Sequence, residues 1–251
     1  SGAFSVEMRG AKVDLKEYMA WLETNKGSFF HYAALDVIKD PKESIANWKT
    51  MRLLGLDPVP VFHVGEPWEF LEEYNLSCSL VGLGGVVRYS RGQVPGRSRR
   101  AVMSWLVKCF KCKPDGVSYH GFGVGGWGMI ASFPWASVDS TSWKGGICWG
   151  NPLVFAAGRI SFPDDKTFRT WIPKHRADLY ALGTSVEEIL QGIRGDYKAS
   201  AKISLLSIRA AERWHHQNYG TALTIFWSGV LGDPKARRTI QELVFQSGEK
   251  L

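Results

Sequence analysis

The chain has 251 residues, of which 45% are hydrophobic, 22% charged and 13% aromatic. This composition excludes collagen-like, low-complexity and largely disordered proteins, and the length suffices for one large α/β domain or two small ones. The net charge of +7 is uneven: residues 1–75 hold 12 of the 24 acidic side chains against 8 basic ones, whereas residues 88–113 hold only basic ones. The basic segment is typical either of a solvated face or of a nucleic-acid contact.

Short apolar segments alternate with helical patterns along the first 140 residues. Strands are predicted over residues 29–37, 59–64, 80–87, 117–123 and 135–139, with helices over residues 41–54, 67–74, 101–110 and 127–133. The first of these helices begins at Pro41, ends before Gly55 and places four apolar side chains on one face, namely Ile45, Trp48, Met51 and Leu54. This alternation predicts parallel strands joined by right-handed crossovers.

Residues 151–251 are less regular, and we interpret them as a mainly helical extension packed on a domain formed by residues 1–150. A helix is predicted to begin at Ser185, because Ser185 and Glu188 have capping-box spacing. A long helix over residues 199–219 ends at Gly220. A strand over residues 221–227 and a helix over residues 234–245 complete the prediction.

Polar or glycine-rich positions follow several of the predicted strands. They are Asp36, His63, Glu66, Gly84, Gly85, His120 and Asp139. A (β/α)8 barrel places such positions on one face and an open doubly wound sheet places them along one edge, so both folds predict a site there. The five predicted strands, with residues 1–5 as the tail of another, are fewer than the eight of a barrel.

Other motifs favour no metal and no cofactor. Residues 121–126 match the GxGxxG pattern, but only residues 127–133 are left before Pro134 for the helix that a dinucleotide site needs. Cys109 and Cys112 have CxxC spacing without a second pair nearby, which favours incidental cysteines over zinc. Asp139, followed by Ser and Thr, is by itself typical of an Asx turn or a helix cap.

We expect a cytoplasmic protein without a membrane span. No run of about 20 apolar residues is present. The sequence opens on Ser1 without a basic-then-apolar leader, and four cysteines are too few for a disulfide scaffold. These features indicate a reducing compartment.

Six segments occur in an order that resembles the guanine transglycosylase superfamily of (β/α)8 barrels. They are Ser-Gly-Ala-Phe-Ser at residues 1–5, Ala-Leu-Asp at 34–36, Val-Phe-His-Val-Gly-Glu at 61–66, Gly-Leu-Gly-Gly at 82–85, His-Gly-Phe-Gly-Val-Gly at 120–125 and Ser-Val-Asp-Ser at 137–140. The resemblance covers residues 1–146. It is closest to the phage and bacterial branch that inserts 7-deazaguanine bases into DNA. If the protein is encoded by a phage, the expected location is the cytoplasm of the host.

The resemblance implies that guanine in DNA is exchanged for a 7-deazaguanine derivative through a covalent glycosyl-aspartate. Asp139 aligns with the nucleophile of the family, and Asp36 aligns with the residue that reads the Watson–Crick edge of the base. Gly84 and Gly85 match the glycine pair whose backbone contacts the base. The side chains that line the same mouth are then His63, Glu66 and His120, and those able to contact phosphates are Arg91, Arg97, Arg99 and Arg100.

Two departures from the family pattern set the alternatives. The general acid/base carboxylate of the family stands directly before the motif that starts at Ser1, so a longer chain or a second chain is expected to supply it with the upstream strands. Only Cys148 follows Asp139, so the cysteine-rich zinc site of the tRNA branch is missing, which favours DNA. A tRNA-guanine transglycosylase and a non-catalytic nucleic-acid-binding subunit remain the alternatives.

Overall fold

The computed structural model describes residues 13–37, 40–86, 99–140 and 152–227. The chain divides into two compact units, Ser1–Phe122 and Gly123–Leu251. In the described ranges, eight α-helices accompany five strands that pair in parallel, three in the first unit and two in the second. The predicted α/β class with parallel strands is therefore confirmed. None of the helices in these ranges is both long and apolar enough to cross a membrane.

The first unit builds a parallel three-stranded arrangement. Its elements are α1 (Leu15–Thr24), a 3-10 turn (Lys26–Ser28), α2 (Pro41–Leu53), β1 (Val61–His63), α3 (Trp68–Ser77), β2 (Leu80–Gly84), α4 (Arg99–Lys111) and β3 (Ser118–Gly121). The strands lie in the order β1-β2-β3, with Val61 opposite Gly82 and Gly82 opposite His120. Parallel pairing brings the carboxyl ends of the three strands to one edge.

The interior of the first unit is apolar on the face of these strands that packs against α4. The fully buried side chains include Phe62 on β1, Val81 and Leu83 on β2, and Leu106 on α4. Phe62 stacks on Trp105 with ring centroids 5.7 Å apart. Phe62, Val81 and Leu83 share one face, because Phe62 lies opposite Leu83 and alternate residues of a strand point to the same side.

Local signals set the two ends of α2. The Asp40 side chain accepts the backbone N–H of Glu43 at 2.9 Å, Pro41 lies in the first turn, and Gly55 follows the helix with φ of +82°. Three of the four side chains predicted on its inner face are buried, namely Ile45, Trp48 and Met51. Leu54 is 64% exposed instead, because the helix has ended and this residue leaves the inner face.

Residues 29–37 do not form the predicted strand. Only Ala33 makes a bridge, parallel to Val59. The Ala34 N–H donates to the Val59 carbonyl, and the Val59 N–H donates to the Tyr32 carbonyl, both at 2.8 Å. The rest of this segment is held by side chains of neighbouring helices, and Phe29 and Phe30 are exposed, so the aromatic content indicated neither a ladder nor burial.

The second unit combines a parallel strand pair with a helical cluster. Its elements are α5 (Trp127–Ile130), β4 (Ser137–Ser140), β5 (Val154–Ala156), β6 (Arg159–Ser161), α6 (Phe168–Leu182), α7 (Val186–Ile193), α8 (Tyr197–Tyr219) and β7 (Thr224–Trp227). Strands β4 and β7 pair in parallel, whereas β5 and β6 form an antiparallel hairpin. The apolar core under the helices consists of Val154, Ile172, Leu179, Leu182, Ile189 and Ile203.

The capping box at Ser185 and the helix stop at Gly220 are confirmed, whereas the helix predicted over residues 127–133 ends at Ile130. The backbone N–H of Glu188 donates to Ser185 Oγ, and the N–H of Ser185 donates to Glu188 Oε2, each at 3.1 Å. Helix α8 begins after Asp196, whose side chain accepts the Ala199 N–H at 3.0 Å, and ends at Gly220 with φ of +67°. Helix α6 and the hairpin were not predicted.

Several predictions lie outside the described residues. These are the segments 1–5, 87–98 and 141–151 and the helix over residues 234–245. The chain passes from one compact unit to the next between Phe122 and Gly123. The predicted division into residues 1–150 and 151–251 falls within an undescribed segment and stays a prediction.

Candidate active site

Hydrogen bonds from α1 and α2 fix the backbone on both sides of Asp36. Tyr18 Oη, on α1, donates to the Ala33 carbonyl at 2.8 Å. Asn47 Nδ2, on α2, donates to the carbonyl of residue 35 at 3.1 Å, and the N–H of residue 37 donates to Ser44 Oγ at 2.8 Å. Side chains thus replace the strand ladder here, and they set the direction in which the Asp36 carboxylate points.

Asp36, His63 and Glu66 form a chain of ionisable side chains. The distance from His63 Nε2 to Asp36 Oδ2 is 3.1 Å, and that from His63 Nδ1 to Glu66 Oε1 is also 3.1 Å. Glu66 Oε2 in addition accepts the backbone N–H of His63 at 2.9 Å. The Asp36 side chain is only 6% exposed, and its Oδ1 has no hydrogen-bond partner among the described residues.

The charges of this cluster support one another. Burial alone would lower the pKa of His63, but hydrogen bonds to Asp36 and Glu66 and their negative charges raise it to about 9. Burial alone would raise the pKa of Asp36, but the hydrogen bond and charge of His63 outweigh it and hold this pKa below its ordinary value. At neutral pH the cluster therefore consists of an imidazolium between two carboxylates.

Gly84, at the end of β2, lies against the ring of His63. A Cβ on Gly84 would lie 2.8 Å from His63 Cδ2, 2.9 Å from His63 Nε2 and 3.0 Å from Val61 Cγ1, all far inside contact distance. Gly85 follows with φ of +78°, a conformation that favours glycine, and its Cβ position is 3.6 Å from His63 Cβ. Gly84 therefore makes room for the His63 ring, whereas Gly85 is favoured by its backbone conformation.

His120 lies on the neighbouring strand β3, opposite Gly82 of β2. Its ring meets the Phe122 ring edge-on, with centroids 4.4 Å apart, and the Phe122 ring covers Gly82 so that a Cβ there would collide with it. Of the predicted site residues in the first unit, five form one contiguous cluster: Asp36, His63, Glu66, Gly84 and Gly85. His120 belongs to the next strand at the same edge.

Asp139 belongs to the second unit. It lies in β4, opposite Phe226 of β7, and its side chain is partly buried. Asp139 Oδ1 accepts the backbone N–H of Gly123 at 2.8 Å. Gly123 has φ of +70°, so the turn that presents this N–H favours glycine. The backbone donor at Gly123 lies outside β4 and orients the Asp139 carboxylate.

Two of the four predicted phosphate contacts can be placed. Arg99 and Arg100 form the first turn of α4 and are exposed, whereas Arg91 and Arg97 lie outside the described residues. Further along the same helix, the Lys108 ammonium lies over the Trp68 ring at 3.8 Å from its centroid. This lysine is thus bound within the protein, while the two arginines face solvent.

The described residues offer no built site for a metal or a dinucleotide. No group of three or more His, Cys, Asp or Glu side chains in these ranges is arranged to hold a metal ion. Cys112 Sγ donates to the Cys109 carbonyl at 3.3 Å, and burial raises the pKa of both thiols. After the glycine-rich turn at residues 121–126, α5 has only four residues, too few for a pyrophosphate site.

The pairing of Asp36 with His63 could not be found in the sequence. The sequence placed His63 and Glu66 after the same strand without predicting their contact. Ser44 and Asn47 gave no signal, since polar residues on a helix usually face solvent. Comparison of the chain with protein-family models, curated proteins and solved structures finds no match. The transglycosylase resemblance thus depends on the sequence motifs alone.

Proposed function

We propose that the protein is a glycosyltransferase that replaces guanine in DNA with a 7-deazaguanine derivative. The observation that carries the proposal is the buried Asp36 carboxylate, which is kept charged by His63 while its Oδ1 has no partner among the described residues. Guanine and 7-deazaguanine both present N1–H and a 2-amino group, two N–H donors that a carboxylate accepts. One carboxylate can therefore bind the leaving base and the incoming base alike.

Asp139 is the nucleophile in this proposal. Its carboxylate attacks the anomeric carbon, the C–N glycosidic bond breaks, and the electron pair leaves with guanine, which takes up a proton. The incoming base then attacks the same carbon through its own ring nitrogen, loses its proton and releases Asp139. Bonds and charge balance without an oxidant or a metal. The hydrogen bond from Gly123 supports this role because it fixes one carboxylate oxygen.

The (β/α)8 barrel is the fold that we propose for the complete protein. Support comes from the parallel strands and from the cluster at the carboxyl ends of β1 and β2, where barrel enzymes carry their catalytic groups. DNA as the partner is supported by the excess of basic residues after residue 75 and by the exposed Arg99 and Arg100. A base inside a duplex would be flipped out to reach the site.

The test is base exchange by the full-length protein. Labelled guanine or 7-cyano-7-deazaguanine is incubated with DNA or tRNA, and label in the nucleic acid is measured. We expect label in DNA with wild type, none with Asp139→Asn, and normal label with Asp165→Asn, an exposed control aspartate in the same unit. Wild type without an incoming base should form a denaturant-resistant adduct with DNA, and Asp139→Asn should not.

Each contrary outcome identifies a different function. Label in tRNA alone would assign the protein to the tRNA transglycosylases. Salt-sensitive binding of DNA without exchange would support a non-catalytic subunit. Exchange by a folded Asp139→Asn protein would remove this residue from the mechanism.

A further inference from the structure

We propose that His63 is a positioning residue that holds the Asp36 carboxylate in place for the N–H edge of the base, and that Glu66 keeps His63 in its charged form. This inference rests on the proposed function and adds a division of labour to it: Asp36 contacts the base, while His63 and Glu66 act through Asp36. The contacts below support each part of this division.

Both ring nitrogens of His63 already face carboxylate oxygens. The two distances, to Asp36 Oδ2 and Glu66 Oε1, are each 3.1 Å. A neutral imidazole has one N–H, so one of its nitrogens would point a lone pair at a carboxylate, whereas an imidazolium donates to both. With both nitrogens occupied by protein groups, His63 has no N–H left for the base itself.

Glu66 contacts His63 at three points. Its Oε1 faces the ring and its Oε2 accepts the His63 backbone N–H at 2.9 Å, while the Glu66 N–H donates to the His63 carbonyl at 3.2 Å. Gly65, with φ of +96°, allows the tight turn between them. The Gly84 backbone borders the other side of the ring, so the imidazole packs between Gly84 and the carboxylates of Asp36 and Glu66.

The charge of the cluster selects the chemistry of its ligand. Two carboxylates and one imidazolium leave a net charge of −1, which favours a ligand with N–H donors over one with acceptors. Other titratable groups near the cluster are Tyr18 on α1 and Tyr74 on α3. Burial, and after it neighbouring negative charge, raises the pKa of Tyr18 to about 12 and also raises that of Tyr74, so both stay neutral where His63 titrates.

Substitution at position 63 separates positioning from packing. A Gln amide nitrogen reaches the place of Nε2, next to Asp36, whereas an Asn amide nitrogen reaches only the place of Nδ1, next to Glu66. We expect His63→Asn to weaken guanine binding at neutral pH about tenfold, the effect of losing a hydrogen bond to a charged group. His63→Gln should stay within about threefold of wild type. The control is His175→Gln, which breaks a His–Asp178 contact of the same spacing.

The measurements are guanine affinity by calorimetry and the titration of the His63 ring signals by NMR, between about pH 6 and 10. Guanine loses its own N1 proton in alkaline solution, so the wild-type profile alone is not diagnostic. Glu66→Gln should lower the pH at which His63 titrates and at which guanine affinity falls, while His63→Gln should retain only the titration of guanine. Unfolding curves of each variant show whether it is folded.

The two proposals fail in different ways. If wild type binds guanine but His63 titrates near its ordinary pKa of 6.5, or if Asn and Gln at position 63 bind guanine equally well, the positioning role is wrong. If wild type neither binds guanine nor exchanges it while His63 titrates near pH 9, His63 is charged as proposed. In that case the proposed function and the role of the cluster in base binding are both wrong.

Discussion

Gly84→Ala should destabilise the protein by forcing the His63 ring out of its place. The added Cβ would lie 2.8 Å and 2.9 Å from two ring atoms of His63 and 3.0 Å from Val61 Cγ1, so the ring must retreat by roughly half an ångström or more to reach contact distance. Overpacking of this kind costs about 1–3 kcal/mol, and a weakened hydrogen bond between charged groups adds about 1.5 kcal/mol. We expect a loss of about 2.5–4.5 kcal/mol in the free energy of unfolding.

A double-mutant cycle isolates the cause of this loss. The free energy of unfolding is measured in urea for wild type, Gly84→Ala, His63→Ala and the double variant. Removal of the ring removes the collision, so Gly84→Ala should cost at least about 1 kcal/mol less in the His63→Ala background. The matched control is Gly27→Ala, since a Cβ at Gly27 meets nothing within 4 Å.

One result would refute the reasoning. If Gly84→Ala costs the same with and without the His63 ring, the strain arises elsewhere, and Gly84 is not needed for the approach of His63. The glycine would then return to the role that the sequence resemblance implies, in which its backbone contacts the base. Guanine affinity of Gly84→Ala, measured beside that of His63→Asn, would show the same separation in function.

Three further outcomes are expected. The cluster should stabilise the fold most between about pH 4 and 6.5, and this contribution is lost at lower pH as Asp36 is protonated. As the pH rises from 6.5 through 9, His63 loses its proton and the free energy of unfolding should fall by about 2–3 kcal/mol. His63→Gln should flatten this alkaline decline in urea unfolding. Ser185→Ala removes the cap of α7 and should cost about 1 kcal/mol in the same assay, whereas unchanged stability would show that the cap is dispensable. Arg99→Ala with Arg100→Ala should weaken DNA binding and lower the slope of log affinity against log salt by about one per lost phosphate contact; an unchanged slope would make these arginines a solvated face.

Elements with local signals were predictable from the sequence. Ser185 and Glu188 form the capping box that their spacing indicated, and Gly220 ends α8 in the left-handed conformation that glycine favours. The strands at 61–63 and 80–84 were predicted because apolar runs between turns leave little alternative at that length. In each case the information lies within a few residues of the element.

The wrong strand prediction came from contacts distant in sequence. Residues 29–37 were predicted as a strand from their aromatic and apolar content, but Asn47 and Ser44 of α2 bind the backbone that a neighbouring strand would otherwise bind. Helix α6 was missed for a local reason, because Pro173 lies inside it and no side-chain cap marks its start. Helix propensity is a weak prior that tertiary packing overrides.

The candidate site was predictable as a set of residues and not as an arrangement. Strand ends pointed to Asp36, His63 and Gly84, since parallel strands bring these positions together. The pairing of these side chains depends on the path of residues 33–37, which form no strand. No spacing rule in the sequence describes that path. The interpretation of Gly84 changed most: the sequence resemblance implies that its backbone contacts the base, whereas in the structure it leaves room for the imidazole ring of His63.

Stability alone gives little reason to bury a carboxylate as deeply as Asp36. A charged pair removed from water costs several kcal/mol, and an apolar pair of similar size is often at least as stable. Here two further charged side chains surround the buried carboxylate: His63 contacts Asp36, and Glu66 contacts His63. The absence of a side chain at Gly84 leaves room for the His63 ring. Buried groups with strongly perturbed pKa values concentrate at functional sites, because binding and catalysis require a particular charge state there. A ligand with N–H donors facing Asp36 Oδ1 would satisfy the one oxygen of the cluster that the described residues leave without a partner.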